Sequence, residues 1–236
     1  MSAVQVLERV PVMTTSEPVL RQAIVDYCRV MAESGLSSGT TGNISARCAD
    51  EMLITPTGLG YDEMQPGDIA ATPLAGDGSD WRGPYGPSSE WRFHLGIFQA
   101  RPEIGGIIHA HSTYATALAM ARREIPACHY MIAAAGGPSV RCAAYATFGT
   151  AALSESVLAA LEDRTCCLMA NHGMIATGAD LKQAMWLAVE LEELAKQYVL
   201  SLSVGGPVLL PDDEIADVVE RFKSYGPKNR TGDGSS

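Results

Sequence analysis

The 236-residue chain is 47% hydrophobic and 19% charged, a composition that predicts a folded, soluble protein. Its 27 acidic and 17 basic side chains give a formal net charge of −10, which argues against the basic surface that nucleic-acid binding requires. Because no apolar stretch approaches the roughly 20 residues that span a bilayer, we expect no membrane partner.

The cysteines point to a reducing compartment. None of the six forms a CxxC pair, and we recognise no signal peptide before them, so we expect free thiols in a cytoplasmic protein. The adjacent Cys166 and Cys167 lie in an apolar run. We interpret this pair as small buried hydrophobic residues rather than as a redox site.

The first part of the chain predicts a helix followed by short strands. The helix begins at Ser16, has apolar residues on one face, and ends at Gly35. Strands are predicted over residues 44–47, 52–55 and 68–72. The segment 75–87 is rich in Gly, Pro and Asp and predicts a surface loop. A second helix is predicted over 90–100, with Ser88 and Ser89 as its cap.

Helices and strands then alternate to the end of the chain. Strands are predicted over 106–111, 140–144, 165–170 and 174–177, and helices over 113–122, 151–161, 180–202 and 211–222. We found no internal repeat and no linker. The pattern predicts one α/β domain over residues 1–236, with a central mixed or antiparallel β-sheet flanked by helices. Residues 1–15 would be an N-terminal arm and 226–236 a mobile tail.

Histidines cluster at the ends of predicted strands. In a strand, His109 and His111 lie on the same face, and His172 falls in a predicted Asn-His-Gly turn. Neutral imidazole is a favoured Zn²⁺ ligand, and catalytic zinc sites typically have three protein ligands. Glu90 could be a fourth ligand or a base beside the metal. The alternative is that the two strand histidines are hydrogen-bonded and purely structural.

Two other histidines lack metal-ligand spacing. His94 lies one helical turn after Glu90, which favours a structural or supporting role. His129 precedes Tyr130 in an apolar passage, and we interpret it as structural.

Small polar residues recur at three places before predicted elements. They are Thr40 to Asn43, Thr57 and Gly58, and Ser88 and Ser89. Glycine backbone, hydroxyl groups and a helix N-terminus can together hold a phosphate, although each alone is ordinary turn and cap chemistry. Neither a GxGxxG nor a P-loop motif occurs. All four lysines lie in the C-terminal third without apolar strand context, which argues against a Schiff-base lysine.

These residues stand in segments that resemble the class II aldolase/adducin family, and most of all its fuculose-phosphate aldolase branch. The segments are GNIS (42–45), TPTG (55–58), PSSEWRFH (87–94), HAH (109–111), HYMIAAAGG (129–137), YATFGT (145–150) and NHG (171–173). The likeness runs in order from about residue 16 to 225. It implies zinc-dependent, reversible cleavage of a ketose 1-phosphate, such as L-fuculose 1-phosphate, to dihydroxyacetone phosphate and an aldehyde. It also implies a homotetramer with active sites between subunits.

The resemblance also implies roles for individual residues. One zinc ion per subunit would be held by His109, His111 and His172, with Glu90 as the acid. The phosphate would lie against Thr40, Asn43, Gly58, Ser88 and Ser89. Tyr130 would act on the aldehyde oxygen in a neighbouring subunit, and Phe148, Phe222 and Tyr225 would line the aldehyde side. The N-terminal arm, the C-terminal tail and a slightly longer loop at 75–85 are departures that leave the aldehyde open.

Three alternatives follow from the same family. The first is the same chemistry on a 5-deoxy- or methylthio-pentulose 1-phosphate. The second is a pentulose-phosphate 4-epimerase, which is disfavoured because such enzymes usually carry Asp where this chain has Glu90. They also carry an acid that is missing here between Glu124 and Glu155. The third is an adducin-like binding module, which the retained histidines disfavour.

Overall fold

A computed structural model describes residues 16–222. Its strands, in chain order, are β1 (Asn43–Cys48), β2 (Glu51–Ile54), β3 (Ala70–Pro73), β4 (Gly106–Ala110), β5 (Cys142–Ala143), β6 (Cys166–Met169) and β7 (Gly173–Gly178). They form one seven-stranded sheet in the order β3-β2-β1-β4-β7-β6-β5. Neighbours are antiparallel except β5 and β6, which are parallel. The predicted α/β class with a mixed sheet is confirmed.

Helices cover both faces of this sheet. They are α1 (Glu17–Glu33), α2 (Trp91–Ala100), α3 (Thr113–Met120), α4 (Ala151–Ala160), α5 (Leu181–Leu202) and α6 (Asp212–Phe222). One face packs against α1, α3 and α5, and the other packs against α2 and α4. None of these helices, which lie between residues 16 and 222, is long and apolar enough to cross a membrane.

The alternation of side chains along β6 explains the paired cysteines. Cys166 faces the α1, α3 and α5 layer, whereas Cys167 faces the α2 and α4 layer, and both are fully buried free thiols. Burial raises the pKa of Cys166 to about 12, so the thiol stays protonated and unreactive at neutral pH. The interpretation of this pair as buried hydrophobic residues is confirmed.

Three adjacent strands bring the site residues to one edge of the sheet. Asn43 at the start of β1 pairs with His109 near the end of β4, and Ala110 pairs with Met174 of β7. The start of β7 can approach β4 this closely because its first residue is Gly173. A Cβ there would lie 2.5 Å from the carbonyl oxygen of Ala110, a distance that only glycine permits.

Some predicted boundaries are wrong. The strand predicted over 140–144 is reduced to Cys142–Ala143, and Val140 instead bridges Ile125. Ser88 and Ser89 do not cap α2, because Glu90 occupies the N-cap position and no side chain caps the helix. The strand predicted from residue 68 begins at Ala70, after a short 3-10 helix, Pro66–Asp68. A second 3-10 helix, Tyr130–Ala135, was not predicted.

Part of the sequence prediction falls outside the described residues. The predictions that fall there concern the N-terminal arm (1–15), Tyr225 and the tail (226–236). The assignment of the whole chain to one domain with these two ends therefore stays a prediction.

Candidate functional site

Three histidine side chains converge at the sheet edge formed by β1, β4 and β7. The nitrogen atoms that His109, His111 and His172 offer lie within 4.8 Å of one another, and Nε2 of His109 is 3.0 Å from Nε2 of His111. His109 is fully buried, and the other two rings are partly exposed. The predicted grouping of these three histidines is therefore present, with a spacing that could hold a metal ion.

A backbone contact selects the tautomer of His109. Its Nδ1–H donates to the carbonyl oxygen of Met174 at 2.9 Å. With Nδ1 engaged by the backbone, Nε2 is the ring nitrogen directed toward the other two histidines. In known metal sites, the ring nitrogen that does not bind the metal usually donates a hydrogen bond of this kind, which fixes the orientation of the imidazole.

Glu90 places its carboxylate beside the histidines. Its Oε2 lies 3.1 Å from Nε2 of His109, and its Oε1 lies 3.1 Å from Nε2 of His172. The Oε1 contact is close but lacks hydrogen-bond geometry, so this buried oxygen has no hydrogen-bond partner. A buried carboxylate oxygen without a hydrogen-bond donor, 3.1 Å from an imidazole nitrogen of His172, fits a divalent cation.

The protonation states suit metal ligation. Burial opposes ionisation of Glu90, but the neighbouring His109 and His172 outweigh it and hold the pKa of the carboxyl well below its ordinary value. Burial, reinforced by His109 and His172, lowers the pKa of His111 to about 4. At neutral pH the carboxylate is ionised and the His111 ring is neutral, which are the forms that bind metals.

A pocket of about 370 Å³ opens beside Glu90, His111 and His172. The five residues that the resemblance assigns to the phosphate line it, together with Thr57 of the predicted small polar set; the five are Thr40, Asn43, Gly58, Ser88 and Ser89. Backbone hydrogen bonds connect their loops: Ser88 donates to Thr55 at 2.9 Å, and Thr57 donates to Gly86 at 3.2 Å. The amino end of α2 begins directly after this set, where the helix dipole favours an anion.

The aromatic residues predicted for the site fall into two groups. Phe148 lines the pocket together with Tyr145 and Ala146. Tyr130 and Phe222 instead line a different cavity, of about 1080 Å³. Within one chain, the structure therefore does not bring these two residues to the histidine cluster.

Three features of the site were not predicted. Tyr145 and Asn171 line the pocket; each begins a segment that carries the family resemblance, which was the available signal, but no role was predicted for either. Asn43 donates from Nδ2 to Oε2 of Glu90 at 2.9 Å, in addition to lining the pocket. Glu192 of α5 accepts hydrogen bonds from the residues that follow His111, a long-range contact with no local sequence signal.

A sequence profile described as "Class II Aldolase and Adducin N-terminal domain" matches residues 22–199. The chain belongs to this family. A 5-methylthioribulose-1-phosphate/5-deoxyribulose-1-phosphate aldolase of Rhodospirillum rubrum is 50% identical, over 91% of this chain and 96% of the relative. An L-fuculose phosphate aldolase of Escherichia coli K12 is 48% identical, over 88% of this chain and 95% of the relative.

A solved structure supports the same family assignment. An L-fuculose 1-phosphate aldolase superposes with a TM-score of 0.83 at 42% identity, covering 86% of this chain and 96% of the other. The predicted resemblance to the class II aldolase/adducin family and its fuculose-phosphate aldolase branch is confirmed. With aldolases as relatives at 48–50% identity, the chain is an enzyme of the aldolase side of the family, with lyase activity.

Proposed function

We propose that this chain is a zinc-dependent aldolase that reversibly cleaves a ketose 1-phosphate to dihydroxyacetone phosphate and an aldehyde. The observation that carries the proposal is one pocket that joins the small polar loops to Glu90, His111 and His172. A phosphate bound at the loops would hold the reacting carbons next to the histidine cluster, which is positional catalysis.

The metal would be held by His109, His111 and His172, with Glu90 as a further ligand when substrate is absent. Three imidazoles and one carboxylate match the ligand preferences of Zn²⁺. A bound zinc ion supplies Lewis-acid polarisation of the substrate carbonyl, which stabilises the negative charge that develops when the carbon–carbon bond breaks.

The phosphate would lie on the loops around Thr40, Asn43, Gly58 and Ser88. Thr57 and Ser89 add hydroxyl groups, and glycine permits close backbone approach. Among residues 16–222, no lysine or arginine lines this cradle, so the affinity would come from backbone N–H groups, hydroxyls and the amino end of α2.

Glu90 would move the proton on the carbon next to the carbonyl. In the synthetic direction its carboxylate accepts this proton, and in cleavage it returns the proton. The ionised state at neutral pH and the position between the histidines and the pocket suit this role.

Tyr130 would serve the active site of a neighbouring subunit. Its side chain is 51% exposed and lies in a different cavity from the histidines, which fits a role in the metal site of another copy of the chain. The homotetramer with active sites at the subunit interfaces is the assembly that the family resemblance implies. In such an assembly Phe148, Phe222 and Tyr225 would line the aldehyde side.

The aldehyde end of the pocket favours no single substrate. Tyr145, Ala146 and Phe148 give it an apolar surface, which would accept the methyl group of an L-fuculose 1-phosphate-like substrate. The same surface also suits the 5-deoxy- or methylthio-pentulose 1-phosphates that name one of the relatives, and we retain these as the second candidate. A 4-epimerase activity remains disfavoured, because this chain has Glu90 where such enzymes usually carry Asp.

We propose a cytoplasmic location for the enzyme.

Turnover of a substrate panel tests this function. Zinc-loaded protein is incubated with L-fuculose 1-phosphate, 5-deoxyribulose 1-phosphate, 5-methylthioribulose 1-phosphate and ribulose 5-phosphate. We expect release of dihydroxyacetone phosphate from at least one of the three ketose 1-phosphates, loss of activity on chelation, and recovery with zinc. Epimerisation of ribulose 5-phosphate without dihydroxyacetone phosphate from any substrate would refute the proposal.

A further inference from the structure

We propose that His94 is a positioning residue that orients Glu90 through the side-chain amide of Asn43. The ring nitrogens of His94 pair with Ser45 and Asn43 rather than with the histidine cluster, and His94 does not line the pocket. It is connected to Glu90 by a chain of side-chain hydrogen bonds that begins at Ser45. The inference rests on the proposed role of Glu90 but concerns an interaction that can be measured without substrate.

The atoms that the structure pairs give the direction of every hydrogen bond in this chain. Asn43 directs its Nδ2, which can only donate, to Oε2 of Glu90 at 2.9 Å. The carbonyl Oδ1 of Asn43 then faces Nε2 of His94 at 2.5 Å, which requires a proton on Nε2. Nδ1 of His94 is left as an acceptor for the hydroxyl of Ser45 at 2.7 Å.

The surroundings of His94 preserve this arrangement. The ring is fully buried, as is Ser45, and it stacks on Phe93 with ring centroids 4.6 Å apart. Burial lowers the pKa of His94 to about 3, so the ring is neutral at physiological pH. A neutral ring has one donor and one acceptor, and Asn43 and Ser45 occupy one each.

The consequence for the site is a fixed amide. If the Asn43 amide turned over, its carbonyl oxygen would face the Glu90 carboxylate and repel it, and its NH₂ group would face the Nε2–H of His94. The hydrogen bond from His94 opposes this rotation. Because Asn43 also lines the pocket, the same bond keeps an NH₂ group available at the phosphate end.

The first test determines which ring nitrogen of His94 carries the proton, because this measurement is made on the wild-type protein. Long-range ¹H–¹⁵N spectra of histidine-labelled wild-type protein should show His94 protonated on Nε2 and not on Nδ1 at pH 7. Loss of one signal set in His94→Gln assigns the ring. A ring protonated on Nδ1, or on both nitrogens, would overturn the proposal.

A double-mutant cycle on zinc affinity is the second test. Zinc binding is measured by competition with a chromophoric chelator in wild type, His94→Phe, Asn43→Leu and the double variant. We expect His94→Phe to weaken zinc binding by roughly 10-fold or more, as is typical when the support of a ligand is lost. In the Asn43→Leu background, the same change should have little further effect, because the amide through which His94 acts is gone.

A conservative replacement separates positioning from simple packing. His94→Gln keeps a side-chain NH₂ that can donate to Asn43, and it should restore zinc affinity to within about 3-fold of wild type. Equal losses in His94→Gln and His94→Phe, or independent losses in the cycle, would refute the proposal. If His94→Phe does not fold, the tautomer of the unmodified protein still decides the outcome.

These readouts are independent of the reaction. Zinc affinity and the tautomer can support the role of His94 even if every ketose 1-phosphate fails as a substrate. Conversely, turnover of a ketose 1-phosphate with a His94 ring protonated on Nδ1 would leave the proposed function intact and refute this inference alone.

Discussion

The pocket beside Glu90 and the cavity beside Tyr130 differ in how completely one chain builds them. Glu90 is 7% exposed, and contacts from β1, β4 and the turn before β7 hold its carboxylate. Tyr130 is 51% exposed, and Trp186 in the same cavity is 49% exposed. A single chain therefore preorganises the residues that we propose for metal and phosphate binding, whereas within residues 16–222 no side-chain hydrogen bond orients Tyr130.

Removing one histidine should have the largest effect on the Glu90 side of this comparison. We expect His111→Ala to lose most of the bound zinc and nearly all aldol cleavage, because two histidines and a carboxylate leave the site short of one imidazole. Metal analysis and turnover measure these losses. The fold should survive, since His111 lies past the end of β4 and is partly exposed.

The fold control for His111→Ala is the circular dichroism spectrum and the unfolding midpoint. An intact fold with about one zinc per subunit still bound would contradict the metal assignment.

Neutralising Glu90 should leave the histidines in place but remove the base. Glu90→Gln keeps the size of the side chain, yet an amide cannot accept the proton, so kcat should fall by roughly 10²–10⁴. Exchange of the methylene proton of dihydroxyacetone phosphate with solvent should slow in parallel. Proton exchange at the wild-type rate in this variant would mean that another group is the base.

Changing Tyr130 should impair one step of the reaction and spare the step that depends on Glu90. If Tyr130 acts only on the aldehyde oxygen, Tyr130→Phe should retain zinc, assembly and methylene proton exchange, while carbon–carbon cleavage falls by about an order of magnitude or more. Activity and exchange are measured on the same preparation. Equal loss of both would contradict a role confined to the aldehyde.

Mixed oligomers sharpen the Tyr130 prediction. Impaired Glu90→Gln and Tyr130→Phe chains are unfolded, mixed and reassembled, with each variant reassembled alone as the control. Some activity should return, because an active site can combine an intact Glu90 of one subunit with an intact Tyr130 of the next. Failure of the mixture to exceed the controls would argue against a tyrosine supplied by a neighbour.

The sequence predicts the Glu90 side better than the Tyr130 side because its signals are local. Strand alternation alone puts His109 and His111 on one face, and a turn-forming glycine marks the position of His172. The hydrogen bonds from Asn43 to Glu90 and His94 join residues 47 and 51 positions apart, which no short pattern reveals.

The segment around Tyr130 lacks such periodicity. Its apolar, alanine-rich composition fits a strand, a helix or a buried loop, and the structure forms a 3-10 helix, Tyr130–Ala135. The predicted strand at 140–144 shortens for a related reason. β5 lies at the edge of the sheet with one partner, β6, so neighbouring strands impose less regular pairing on it.

The smallest expected effect concerns Glu192, a partly buried residue of α5 that supports the Glu90 side from a distance. Its carboxylate accepts from the hydroxyl of Ser112 at 2.6 Å and from the backbone N–H groups of Tyr114 and Ala115 at 2.9 Å each. These contacts cap α3 directly after His111 and place a negative charge at the helix amino end. Glu192→Ala would leave these donors unpaired, so we expect a loss of about 1–3 kcal/mol in the free energy of unfolding.

Glu193→Ala is the matched control for Glu192→Ala, because the neighbouring Glu193 is exposed. Its ion pair with Lys196, at 3.7 Å, is a surface contact worth about 0–1 kcal/mol. Denaturant unfolding of both variants measures the difference. Equal stability would show that the cap on α3 contributes little. A larger loss of unfolding free energy in Glu192→Ala, accompanied by weaker zinc binding, would show that α5 helps to hold the segment that contains His111. The preorganised region would then extend beyond the pocket itself.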